Sequence, residues 1–276
     1  MNTSNTEGVS VNDDQSSGVA LLRLRRGKAQ ARRSVGLQDV YWPESVVAAQ
    51  LTECVSSPDE VREYIRDRAF HQPSKETRDR YSMYFLQWFM PSGSLDDPVP
   101  VCWRAFHDPI ALEHVMRWQF ITCNPLIAGF VDGPLSHLEL GESVNAAVDS
   151  YLAGGSDAAQ DKTRIRLRSA LTKAGLLAVE RRKMYSRIEP DVSVRAVAIV
   201  VGHIFAPTAQ AVGMDALVAN PWWKRLGLVN ESAVRAKLRE TADAGLFARV
   251  SRMDTLDHLT TRYSWRQFSS GEGKVR

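Results

Sequence analysis

No part of this chain stays apolar for long. The longest candidate, Ala196–Gly202, falls far short of the ~18 residues that a membrane-crossing helix needs. The opening residues, Met1–Gly18, lack the apolar core of a secretory signal, so nothing in them suggests export. Cysteine is scarce: Cys54, Cys102 and Cys123 are odd in number and widely spaced. That argues against a disulfide framework and fits a reducing cytoplasm.

Catalytic signatures are missing as well. The sequence has no GxxxxGKS/T, no GxGxxG after a strand and no GxSxG. His71, His107, His114, His137, His203 and His258 form no recognised metal spacing. Cys102, His107, His114 and Cys123 are neighbours in sequence, but C-x4-H-x6-H-x8-C is no usual zinc pattern. Val179–Lys183 contains Glu-x-x-Lys, one residue too long for the Glu-x-Lys of nucleases, and no partner aspartate accompanies it. The expectation is a protein that is not an enzyme and takes neither metal nor cofactor.

Negative charge is missing in places. Residues 20–35 hold Arg23, Arg25, Arg26, Lys28, Arg32 and Arg33 without one acid. Residues 157–188 carry nine Lys or Arg against three acids, and residues 222–276 eleven against six. Residues 95–153 reverse the balance, with eight acids against Arg104 and Arg117. This basic–acidic–basic layout predicts an anionic partner for the ends and a different task for the middle. Charge alone leaves nucleic acid, an acidic protein and a membrane surface open.

Against these absences stands an ordinary globular composition. Apolar residues make up 44% of the 276 residues and charged ones 24%, enough for about two domains. Periodicity predicts a mainly α fold: helix-turn-helix and winged-helix modules around an all-helical core, with small β-wings. Residues 1–35 read as a disordered, basic N-terminal arm: a Ser/Asn/Asp/Gly-rich tail followed by a basic segment, which is a flexible arm, a short amphipathic helix or a solubilising tail. Residues 36–155 read as a helix-turn-helix plus core, 156–207 as a winged-helix-like module, and 208–276 as a second one.

The first helix is predicted from Ser57 as N-cap, Pro58 at the first position and Glu60 completing a capping box. The four residues His71–Ser74 then form the turn, and Ser74 caps a second helix with its apolar stripe at Tyr81, Tyr84, Phe85, Trp88 and Phe89. Lys75, Thr77, Arg78 and Arg80 occupy the exposed start of that helix, the part that reaches a DNA groove in a helix-turn-helix. A solvated face is the alternative.

The middle zone predicts a buried helix between the cap Asp108-Pro109 and the stop Asn124-Pro125, with Ile110, Leu112, Val115, Met116, Phe120 and Ile121 around it. A shorter helix ends at Gly154-Gly155.

In the last zone, Lys162–Ile188 reads as a helix with Leu167, Leu171 and Ala174 inward, a Gly175 C-cap and a hairpin turning at Arg181-Arg182-Lys183. Glu231–Asp254 repeats the plan: an amphipathic helix (Val234, Leu238) carrying Arg235, Lys237 and Arg239, then Ala244-Gly245-Leu246, then a basic extended stretch through Arg249 and Arg252. Between the two, Val192–Phe205 has a helical spacing but a β-branched composition, and a helix ended by Pro207 is the preferred reading. Trp222 and Trp223 read as core anchors.

From about Pro58 to Pro207 the chain resembles BrxA, the small helical accessory protein of BREX phage-defence systems in bacteria. The resemblance rests on SKETRDRY (Ser74–Tyr81) after a short helix, on the helical middle, and on DKTRIRLRSALTKAGLL (Asp161–Leu177). It implies an α-rich protein that binds double-stranded DNA beside a methyltransferase, a phosphatase-like component and an ATPase. By position, it implies DNA contacts from Lys75, Thr77, Arg78 and Arg80 at one end and from Lys162, Thr163, Arg164 and Arg166 at the other. The long N-terminal tail and the additional C-terminal module depart from the family.

Cations at helix starts and on a wing neutralise phosphates and release counterions, which gives affinity without sequence reading. The expected DNA-binding set therefore also includes Arg168, Arg181, Arg182, Lys183, Arg235, Lys237 and Arg239. Few Asn or Gln residues accompany these cations, so binding mainly to the backbone is expected. The alternatives are a scaffold subunit whose winged helices dock partner proteins, and a conventional transcriptional regulator. The last lacks support from any coiled-coil or ligand-sensing segment.

Overall fold

Proline opens most of the early helices. A computed structural model describes residues 40–153, 157–179, 184–205, 208–253 and 256–271, apart from the side chains of residues 157–160, 252, 253 and 256. Helices α1 (Trp42–Leu51) and α2 (Pro58–Arg68) carry proline at the first or second position, where the missing N–H would be unbonded anyway and φ is preset. In α3 (Lys75–Phe89) the Ser74 hydroxyl instead accepts a hydrogen bond from the Thr77 N–H. Proline returns at the starts of α4 (Pro98–Phe106), α5 (Pro109–Cys123) and α6 (Pro125–Phe130), and α6 runs on into one π-helical turn, Val131–Leu135. Next come α7 (Asn145–Tyr151) and α8 (Asp157–Lys173), then the antiparallel pair β1 (Leu177–Val179) and β2 (Tyr185–Arg187). The remainder is α9 (Val194–Ile204), β3 (Ala211–Gly213), α10 (Met214–Val218), α11 (Trp222–Leu226), α12 (Glu231–Asp243), β4 (Phe247–Met253), β5 (Leu256–Thr261) and α13 (Trp265–Ser269).

The fold is mainly α, with two small antiparallel sheets beside a helical core. At its centre lies α5, buried at every position from Ala111 to Ile121 except Glu113 and packed by α1, α3, α4, α6, α9 and α11. A helix covered on all sides is what its nearly all-round apolar sequence requires. Trp42, Trp88 and Phe89 close around Phe120, with Trp88 edge-on at 5.4 Å, a favoured aromatic geometry.

The C-terminal part has winged-helix topology. Its sheet runs in the order β3-β5-β4, so the strand preceding the helices pairs with the second strand of the terminal hairpin. By that order α9, which packs on α12, belongs with this module. Helix α11 leads into α12 through the short turn Gly227–Asn230, and α12 packs on α9 and α10.

Three helices stop in one way. After α8, Gly175 (φ +69°) donates to the Thr172 carbonyl and Leu176 to that of Leu171. Gly245 and Leu246 do the same after α12, and Gly227 and Leu228 after α11. This is the Schellman stop, which needs a residue at positive φ and so selects glycine. The leucine that follows is buried each time, sealing the stop against the core.

Several expectations need correction. Ser57 precedes α2 as expected but makes no side-chain cap, so the Ser57–Glu60 capping box does not form; a capping box forms at Ser264–Gln267 instead. The turn between α2 and α3 is six residues, Ala69–Ser74, because Ala69 continues in right-handed geometry and Phe70 is drawn into the core. Ile110 is 65% exposed, since the first turn of α5 is not covered on that side. Helix α7 stops at Tyr151, short of Gly154-Gly155, which lie outside the described residues, as does Pro207 beyond α9.

Candidate nucleic-acid interface

The start of α3 divides its predicted residues between fold and surface. Arg78 turns back on the loop, donating to the carbonyls of Gln72 (2.7 Å) and Pro73 (3.2 Å), with its Nε 3.4 Å from Asp67. It holds the helix-turn-helix bend in place. The same carboxylate takes Arg66, and the hydrogen bonds from Arg66 together with the charge of Arg78 keep Asp67 below the usual carboxylate range. Thr77 is half-buried and its N–H is committed to Ser74. Lys75 and Arg80 remain exposed; Lys75 has no ion pair among the described residues, and the Arg80 guanidinium lies 5.7 Å from the Tyr81 ring.

Helix α8 shows the same division. Arg164 sits between Asp149 (3.1 Å) and Asp161 (2.8 Å). Arg168 donates to the Asn145 side chain at 2.9 Å and lies 5.6 Å from the ring of Tyr185 on β2, tying helix to hairpin. Thr163 is half-buried. Lys162 and Arg166 have no ion pair among the described residues. At the other end of α8, Lys173 donates to the Val40 carbonyl at 2.7 Å. Arg181, Arg182 and Lys183 lie outside the described residues.

On α12 each predicted cation has an acid. Arg235 meets Asp215 at 2.5 Å, and this hydrogen bond raises its pKa. Lys237 bridges Asp191 (3.2 Å) and Glu240 (2.7 Å), and Arg239 approaches Asp257 at 3.5 Å. Arg249 on β4 is exposed and has no ion pair among the described residues.

The described predicted cations thus fall on three separate elements, and half of them, Arg78, Arg164, Arg235, Lys237 and Arg239, are held by neighbouring carboxylates or backbone. Exposed pairs of this kind are worth about 0–1 kcal/mol, so a phosphate can displace the carboxylate at little cost.

Sequence reasoning missed one arginine. Arg117, in the middle of α5, is only 6% exposed and donates to the carbonyls of Ala174 and, at 2.9 Å, Leu226. Burial pulls its pKa down to about 10. Its signal was an arginine inside the apolar run Val115–Ile121.

His114, Cys102 and Cys123 belong to the core. His114 Nδ1 accepts the Ser193 N–H at 3.0 Å, and burial, with the Arg117 charge adding, lowers its pKa to about 4. Cys102 is fully buried, which raises its thiol pKa strongly, and burial lifts Cys123 to about 11. His107 pairs with Glu53 at 2.8 Å. Among the described residues no three His, Cys, Asp or Glu side chains group as metal ligands, and no helix is long and apolar enough to cross a membrane. No protein-family model, curated protein or solved structure matches the chain.

Proposed function

We propose that the chain is a double-stranded DNA-binding protein without catalytic activity, gripping the phosphate backbone through its helix-turn-helix and winged-helix modules. The observation that carries this reading is the sheet order β3-β5-β4 beside the packed helices α10 and α12, a helix-turn-helix with a hairpin attached. The second helix of such a pair is the one that enters the major groove. Lys75 and Arg80 on α3, Lys162 and Arg166 on α8, and Arg249 on β4 supply cations for phosphates. The likeness of Ser74–Tyr81 and Asp161–Leu177 to BrxA supports reading this activity as part of a bacterial BREX-type anti-phage system, beside a methyltransferase, a phosphatase-like subunit and an ATPase.

The test is fluorescence-anisotropy binding to a mixed-sequence duplex across a salt series. The comparison is a variant with Lys75, Arg80, Lys162 and Arg166 changed to Ala. Arg78 and Arg164 are left intact because they hold the fold. Binding that weakens steeply with salt and collapses in the variant supports the reading; a wild type that ignores duplex at low salt removes it.

A second reading, a scaffold whose winged helix docks a partner protein, is favoured by α12. Its Arg235, Lys237 and Arg239 are all neutralised by acids of this chain. Loss of duplex binding at low salt is the outcome expected of that scaffold.

A further inference from the structure

The outer face of α8 carries an apolar side chain that no described residue covers. Ile165 is 63% exposed. Leu167, Ala170, Leu171 and Ala174 define the inward face of α8, and at 100° per residue Ile165 points almost directly away from them, between Lys162 and Ser169. A β-branched residue there neither fills the core nor favours the helix. Its surroundings are cationic: Lys162 and Arg166 at i−3 and i+1 are free of ion pairs among the described residues, and Asp161 is turned to Arg164. At i+3, Arg168 leans on Tyr185, whose cross-strand partner Val179 is itself 56% exposed.

Resting on the DNA reading above, we infer that α8 reads thymine: Ile165 packs against the thymine C5 methyl in the major groove while Lys162 and Arg166 hold the flanking phosphates. The thymine methyl is the one apolar group on the major-groove edges of the four bases, and an exposed aliphatic side chain between cations complements it. From Asp161 to Lys173 the helix has no Asn or Gln, so hydrogen-bonded reading of adenine is not supplied. Double-stranded RNA fits poorly, because its major groove is too narrow for a helix and uracil lacks the methyl. Ile165 is therefore a specificity-determining residue, distinct from the phosphate contacts that give affinity.

The test uses the full chain and two duplexes, one of alternating adenine and thymine and one with every thymine replaced by uracil. That change removes the methyl and leaves base pairing intact. The wild type is expected to bind the thymine duplex roughly fourfold more tightly for each methyl that Ile165 covers, the worth of one buried methyl group. Ile165→Ala is expected to bind the two alike, with an unchanged melting temperature since the side chain supports no core. Ile165→Val should keep part of the preference. If the wild type binds both duplexes equally, with steep salt dependence, phosphate binding stands and thymine reading falls. A preference that survives in Ile165→Ala belongs to duplex shape and also overturns the assignment. If neither duplex binds, the DNA reading falls with it. If Ile165→Ala then abolishes a self-association seen in sedimentation, the face is a contact between copies of this chain.

Discussion

The guanidinium of Arg117 donates to the carbonyl of Ala174, the residue that ends α8, and its second nitrogen reaches Leu226 at the end of α11. One buried side chain on the central helix thus caps a helix from each of the two hairpin-bearing regions. The negative ends of two helix dipoles surround its charge and stand in for a carboxylate partner.

Arg117→Met keeps an unbranched apolar stem and removes the guanidinium donors. Two buried carbonyls are left bare, and the desolvation of the charge is relieved. The net expectation is a loss of about 2 kcal/mol in unfolding free energy. A urea titration reads it as a lowered midpoint, and an unchanged midpoint would remove the capping role.

His114 makes stability depend on pH. Its folded pKa of about 4 lies below the ordinary value of 6.5, so between these values the unfolded chain binds a proton that the folded chain refuses. Its contribution is present in full above about pH 6.5 and is lost as pH falls towards 4, at most about 3 kcal/mol. Urea titrations at stepped pH should show this slope, and His114→Gln should flatten it.

The three Schellman glycines are unequal. A Cβ on Gly227 would collide with the Pro190 ring, whose Cδ would be 2.7 Å away, whereas at Gly245 the nearest atom, on Arg262, would be 3.6 Å away. Gly245→Ala should carry only the cost of its positive φ, about 1–2 kcal/mol. Gly227→Ala should lose more than that, as measured by thermal melts of the two variants side by side. Equal losses would mean that Pro190 yields freely.

Lys75 and Arg78 separate affinity from fold. Lys75→Ala should leave the melting temperature unchanged and reduce the slope of log affinity against log salt by about 0.9 on duplex DNA. Arg78→Ala should lower the melting temperature, because the carbonyls of Gln72 and Pro73 lose their donor. If Arg78→Ala melts like the wild type, its role in the turn is wrong.

Helix punctuation was the most legible part of the sequence. Asp108-Pro109, Asn124-Pro125, Ser74 and the Ala-Gly-Leu stops depend on backbone rules within a few residues, and each appears where expected. The Ser57 capping box failed because the motif permits a side-chain geometry that neighbouring contacts need not select. Long-range choices were not legible. The partners Asp215, Asp191 and Asp257 lie 18 to 46 residues from the cations they neutralise, and spacing along a helix carries no trace of them. Nor could periodicity show that β3 pairs with β5, which draws α9 into the C-terminal module.

The carboxylates beside Arg78, Arg164, Arg235 and Arg239 have a kinetic side. Each is a counter-ion that cannot diffuse away, since it is fastened to the same chain. When a phosphate displaces one, the displaced acid stays nearby to reclaim its arginine. On the DNA reading, such a surface would engage a polyanion lightly and let go quickly, sampling many positions in succession where an equal number of bare cations would hold it in place.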